Sequence, residues 1–181
     1  MSTLTLPENQ KYVGKPVSEI AAMQGKDPCE CVCDMLADEQ CKISMVDFIT
    51  SEDDIRTILR DPYSSVISDS VYPSGGVPHP RLYGAFPRVL QTCVRERGVL
   101  TLEQAVHKMT AACLYHLKKG LLREGADAGI NVFVLENIRT DATYEAPKRF
   151  AEGFDYVLVN GEIAVDHDKM THRPAGKVLR R

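Results

Sequence analysis

The spacing of apolar residues changes near Gly120, and that change limits what the chain can fold into. Upstream, apolar positions recur three and four apart: Val32, Met35 and Leu36; Ile55, Ile58 and Leu59; Val89, Leu90, Cys93 and Val94; Leu102, Ala105, Val106 and Met109. That period belongs to helices with one buried face. Short apolar runs lie between them, at Cys41–Phe48 and Ser64–Ser68. Downstream, Asn131–Leu135, Asp155–Val159 and Glu162–Val165 read as strands, and Asn160-Gly161 is a two-residue hairpin turn. Alternating helix and strand implies βα units, whereas consecutive strands imply antiparallel pairing. The fold class expected is therefore α/β, with βα units over residues 1–120 and a small antiparallel β appendage over 121–181. Minor strands are expected at Leu4–Leu6 and Lys177–Leu179, and a further helical turn at Ala111–Leu117.

The helix ends are marked. Ser18 caps a helix that Gly25 stops, and Asp27-Pro28 opens the next. Ser51, with an acid three residues on, forms a capping box. Thr101 caps the helix that ends at Met109. Pro87 delays the start of the Arg81–Arg97 helix to about Ala85 or Phe86, and Gly98 closes it.

Charge and hydropathy exclude several classes. The chain of 181 residues has 22 basic and 25 acidic side chains and a net charge of -3. No basic patch points to nucleic acid or an anionic membrane. No apolar run approaches the ~18 residues that a membrane helix needs. Met1–Lys15 lacks the basic and apolar regions of a signal peptide. A cytoplasmic location is expected, with all six cysteines reduced. Cys29, Cys31 and Cys33 alternate inside a helical pattern, where only Cys29 and Cys33 share a side. They read as small apolar side chains, the lesser reading being a redox or metal module.

Ser64–Arg81 carries the chemistry. Its strand delivers Ser68, Asp69 and Ser70, a loop with Pro73, Gly75, Gly76 and Pro78 follows, and His79-Pro80-Arg81 leads into a helix. A carboxylate at a strand's C-terminal end with a cation downstream is a frequent layout for catalysis on α/β scaffolds. The plain alternative is an Asp that caps the loop and an Arg in a surface pair.

Several stretches, in order, resemble the C-terminal part of the N-acyl-D-amino-acid deacylases (D-aminoacylases) of the amidohydrolase superfamily. They are Tyr12–Gly14, Ser18–Ala21, Ile67–Ser70, His79–Gly84, Phe86–Leu90, Arg95–Gly98, Leu102–Ala105, Lys108–Thr110, Lys119–Gly125, Tyr156–Gly161 and Gly176–Arg181. The resemblance implies the last βα units of a (β/α)8 barrel, with a small β domain closing the chain. It implies zinc-dependent hydrolysis of the amide bond of an N-acyl-D-amino acid. Asp69 matches the family's catalytic acid/base, and Arg81 the arginine that binds the substrate α-carboxylate. An arginine fork suits that carboxylate, and a carboxylate suits proton transfer to a leaving nitrogen.

The chain departs from the family in three places, one of them the structural segment Ala128-Gly129-Ile130, which lacks the family's Asp. Ile67 and Ser70 stand where the motif around the Asp has glycines. Of His79, His107, His116, His167 and His172, none forms the family's His-x-His zinc motif. His107 and His116 fall in helical stretches and read as surface or interface residues. A whole (β/α)8 barrel takes about 250 residues, so about two of its eight units are expected here. The zinc ligands are then expected outside this chain, and activity only with the missing N-terminal metal-binding part. That part, or self-association, would cover the apolar faces left open. The alternative is a non-catalytic remnant or assembly subunit of the same fold.

Overall fold

A computed structural model describes residues 1–72, 75–114 and 119–178, with the backbone alone for Cys113 and Leu114. The expectations for His116, for the end of the Ala111–Leu117 turn and for Leu179 fall outside the described residues. The chain divides into two compact units.

The first unit comprises residues 1–49, 69–83 and 142–148. A 3-10 turn, Pro7–Tyr12, precedes helices α1 (Val17–Gln24) and α2 (Pro28–Asp38). Asp27 caps α2 by accepting from the Cys29 N–H, and Gly25 ends α1 at φ +65. Pro16, not Ser18, is the N-cap of α1, one residue before the helix begins. Leu4, Tyr12, Ile20, Ala21, Cys31 and Met35 make the core. The Leu4–Leu6 and Cys41–Phe48 segments meet only as a single antiparallel bridge, Thr3 to Ser44, rather than as full strands.

Glu39, just past α2, is 2% exposed. Its carboxylate accepts from the Thr5 and Leu6 N–H groups, the Thr5 hydroxyl and the Asn9 amide. Burial pushes its pKa up, but these donors outweigh burial and hold it down to about 2. A buried carboxylate is tolerated only when satisfied in this way, and here it ties the first residues to the end of α2.

The second unit comprises residues 50–68, 84–141 and 149–178 of the described chain. Helix α3 (Glu52–Arg60) has the expected capping box, Ser51 with Asp54. It buries none of its residues, and Ile55 and Ile58 of its expected inner face lie exposed. Ser64–Ser68 is extended but joins no strand ladder among the described residues; the Val66 N–H donates to the Lys108 carbonyl. Helix α4 (Arg81–Arg88) starts at Arg81, earlier than Pro87 led us to expect, and holds Pro87 inside it. The helix then winds wider, as a π-helical stretch over Val89–Glu96. Pro87 has no N–H for the carbonyl four residues back, and a wider winding after such a break is a known resolution.

Helix α5 (Leu102–Met109) is capped by Thr101 and Gln104 in a second box, and α6 (Ala111–Leu114) follows. Leu90, Val99, Leu100, Ala105 and Ile138 form this unit's core. Arg95 donates to the carbonyls of Leu135, Glu136 and Ile138, fixing the polar segment before the sheet's second strand. Gly84 is needed on α4, because a Cβ there would stand 2.5 Å from the Thr140 hydroxyl oxygen.

The antiparallel sheet runs β1 (Ile130–Phe133), β2 (Phe154–Val159), β3 (Glu162–Asp166), β4 (Lys169–Met170), each paired with the next. Asn160-Gly161 makes the expected turn, with φ +51 and +83. A polar turn at His167 is what the sequence leads one to expect, whereas the short strand β4 that follows it is not. His167 and Asp168 adopt φ +46 and +61 there, and the Asp168 carboxylate accepts from the Gly153 and Phe154 N–H groups. No helix among the described residues is long and apolar enough to cross a membrane.

The Glu39 knot makes a pH prediction. Its folded pKa of about 2 lies below its ordinary 4.5, so its contribution is complete above 4.5 and is lost as pH falls towards 2. Urea titrations should show Glu39→Gln less stable at neutral pH by ~2 kcal/mol. The gap to the parent should close as pH drops through that window. An equal gap at every pH contradicts the charged knot.

Candidate functional site

The expected site lies in the first unit, where the chain leaves Ser68 and comes back at Arg81. The returning loop is pinned by backbone contacts to the first residues. The Val77 N–H donates to Ser2 O at 2.9 Å, and the Ser2 hydroxyl donates to Val77 O at 2.6 Å. Gly76, at φ +80, lies so close that a Cβ would stand 2.2 Å from Ser2 O. Only glycine fits that approach. The loop therefore turns tightly beneath Pro78, which is buried, and returns Arg81 towards Asp69.

Asp69 and Arg81, twelve residues apart in sequence, are brought together. Arg81 Nη2 is 3.2 Å from Asp69 Oδ2, with the two side chains 45% and 72% exposed. Asp69 has φ +44, a left-handed backbone. That conformation costs a residue with a Cβ about 1 kcal/mol. An ion pair this exposed gives back no more than ~1 kcal/mol. The arrangement is therefore not a stability device. Chemically it offers an accessible carboxylate that can take up and release a proton. Beside it stands a guanidinium whose remaining N–H groups can hold an anion.

A 290 Å³ cleft opens here, lined in part by Met45, Val46, Ser70, His79, Arg81 and Leu82. His79 accepts from the Arg81 backbone N–H and contacts the Tyr144 hydroxyl. Burial, and then the charge of Arg81, push the His79 pKa down. Sequence reasoning gave no role to His79 and did not single out Tyr144. The only local signal was the position of His79, two residues before the arginine. Tyr144 sits in a stretch that read as polar and irregular, and only the fold brings it near. A second cleft, in the other unit, is lined by apolar residues such as Phe86, Leu90, Met109 and Phe154 and holds no titratable side chain.

Among the described residues, no group of three or more His, Cys, Asp or Glu side chains could hold a metal ion. His107 lies exposed on α5, and His167 lies exposed beside Asp166. Cys31 is buried while Cys29 and Cys33 are exposed, so the cysteine row forms no cluster. The described residues do not fit a zinc site.

These features match a known group. The profile described as "Amidohydrolase family" matches residues 7–165, and the chain belongs to that family. It is 39% identical, over 93% of its length, to an N-acyl-D-glutamate deacylase of Alcaligenes xylosoxydans xylosoxydans. A structure of D-aminoacylase, solved to study its binuclear metal centre, superposes with TM-score 0.82 at 33% identity, covering 91% of this chain and 34% of that one. An N-acyl-D-glutamate deacylase of Bordetella bronchiseptica, bound to zinc and a phosphonate mimic of the tetrahedral intermediate, gives TM-score 0.75 at 32% identity. It covers 90% of this chain and 37% of that one. The chain spans about a third of the length of the curated relatives it matches, 33 to 34%.

If Asp69 serves chemistry rather than stability, Asp69→Asn should leave the unfolding free energy within ~0.5 kcal/mol, since asparagine also accepts the left-handed backbone. Asp69→Ala should cost about 1 kcal/mol. Urea denaturation of the three proteins checks both values.

Proposed function

We propose that these residues form the C-terminal portion of a zinc-dependent N-acyl-D-amino-acid deacylase. Residues 1–120 would supply the last βα units of its (β/α)8 barrel, and residues 121–181 part of its small β domain. The observation that carries this reading is the meeting of Asp69 and Arg81 at 3.2 Å, in a chain similar along most of its length to deacylases of N-acyl-D-glutamate and N-acyl-D-aspartate. Arg81 would bind the α-carboxylate of the substrate through two parallel N–H donors. Asp69 would accept the proton of the attacking water and pass it to the leaving nitrogen as the amide bond breaks. The metal and its ligands would belong to the part of the relatives' length that these residues do not cover. Without that part the chain would be inactive.

The exposed apolar side chains support a missing neighbour. Met45, Phe48, Ile49, Val71 and Tyr72 of the first unit are all more than half exposed. Several large apolar side chains left this exposed in one unit suggest surface that is covered in the working protein. The occupant favoured here is the metal-binding portion of the family fold, with self-association as the alternative. A second reading, a non-catalytic assembly subunit, is favoured by Ile67 and Ser70, which flank Asp69 where the family motif has glycines.

The decisive experiment is a hybrid, in which this chain replaces the matching third of the Alcaligenes N-acyl-D-glutamate deacylase. With zinc, the hybrid should hydrolyse N-acetyl-D-glutamate, and the chain alone should not. Asp69→Asn in the hybrid should lower kcat at least ~100-fold, and Arg81→Leu should raise KM by at least about tenfold. A folded hybrid without activity, or one indifferent to Asp69→Asn, favours the non-catalytic subunit.

A further inference from the structure

His79 has two hydrogen-bonding nitrogens, and both are engaged. Nδ1 accepts from the Arg81 backbone N–H at 3.0 Å. A ring nitrogen that accepts carries no proton, so the imidazole is neutral and its hydrogen sits on Nε2. Nε2 faces Tyr144 Oη at 3.3 Å, so His79 donates there. The Tyr144 ring stands edge-on to His79 at 5.2 Å and 87°, and Phe48 packs on the same tyrosine at 4.8 Å. The downward push on the His79 pKa from burial and from Arg81 agrees with the neutral ring that the geometry requires. The charged or titratable groups facing it are Arg81 and Tyr144, with Asp69 reached through Arg81.

We propose that His79 is a positioning residue for Arg81. Locked as the Nε2–H tautomer between Tyr144 and the first N–H of α4, it fixes the helix start from which the guanidinium faces Asp69. The first N–H groups of a helix have no partner within it. An Asn, Asp or Ser two residues back is the common cap. Histidine caps with one nitrogen and keeps the other for a second anchor, here a tyrosine 65 residues away in sequence. Arg81 is thus held at its backbone as well as at its guanidinium. The value of this for catalysis rests on the reading of Arg81 as the substrate's carboxylate clamp, whereas the network itself does not.

The full chain is used for the test. Long-range 1H–15N spectra at neutral pH should show His79 with its proton on Nε2. His79→Leu should speed exchange of the Arg81 amide by about fivefold, the factor expected from losing one helix cap, and should shift the Arg81 Nε–H signal. His79→Asn, whose side-chain oxygen can stand where Nδ1 stands, should restore both. An Nδ1–H tautomer in the parent overturns the proposal without any variant. So does an Arg81 amide untouched by His79→Leu, or a folded His79→Asn that restores nothing. In the active hybrid, His79→Leu should raise KM for N-acetyl-D-glutamate about fivefold with kcat within ~twofold, the signature of lost binding alone. A fall in kcat at constant KM overturns the positioning role. An inactive parent hybrid defeats the carboxylate-clamp reading, and the spectra still decide what His79 does.

Discussion

The close approach of Gly76 to Ser2 is the contact on which the site depends. The first unit joins three stretches far apart in sequence, 1–49, 69–83 and 142–148. Its largest apolar cluster comes from the first of them, with Pro78 and Ala142 buried in the other two. The loop that carries Asp69 and Arg81 buries little apolar surface apart from Pro78. Its anchors are the Val77–Ser2 backbone bond, the Ser2 hydroxyl and the absence of a side chain at Gly76. Each such bond contributes only about 1 kcal/mol, but each has a fixed direction, and direction is what a site needs. Glu39 plays the matching part below. It holds Thr5, Leu6 and Asn9, and so keeps in register the segment to which the loop is pinned.

Much of this was legible in the sequence wherever the signal was local. Asp27-Pro28, the Ser51 and Thr101 capping boxes, Asn160-Gly161 and the apolar runs of β1 to β3 specify their own conformations within a few residues. Most of the failures depend on distant partners. Ser64–Ser68 and Cys41–Phe48 have the composition of strands, but a strand exists only with a neighbour, and the described residues supply little more than a bridge at Ser44. Pro87 was read as delaying the helix to about Ala85 or Phe86, because proline disrupts a helix interior. The helix starts at Arg81 instead, where the backbone N–H donates to His79 Nδ1, and holds the proline inside before winding wider. The His167-Asp168 turn, legible as a polar turn, relies on the tolerance of these two residue types for a left-handed backbone.

The site was legible only in part, for the same reason. Asp69 and Arg81 stand at the two ends of one loop, so a sequence pattern can name them both. Tyr144 joins them from a stretch with no periodicity, and nothing near it in sequence reveals the histidine it will meet. Resemblance to a family sharpened the reading of the first two residues and was silent on the third.

The exposure of the Asp69–Arg81 pair bears on how such a pair can serve two tasks. At about 4 Å in water two unit charges attract by about 1 kcal/mol, and by about 4 kcal/mol at the effective dielectric near a covered protein surface. An arginine bound too firmly to its own aspartate could not release it for a substrate carboxylate. The open setting keeps that attraction weak, so the guanidinium is free to exchange partners. On the proposed reading, a substrate and the rest of the fold would cover the site, water would leave and the same charges would act more strongly. The arginine would then have a new carboxylate to hold. On the proposed reading, loop geometry brings the two groups within reach of each other, and the cover they lack gives each its separate task.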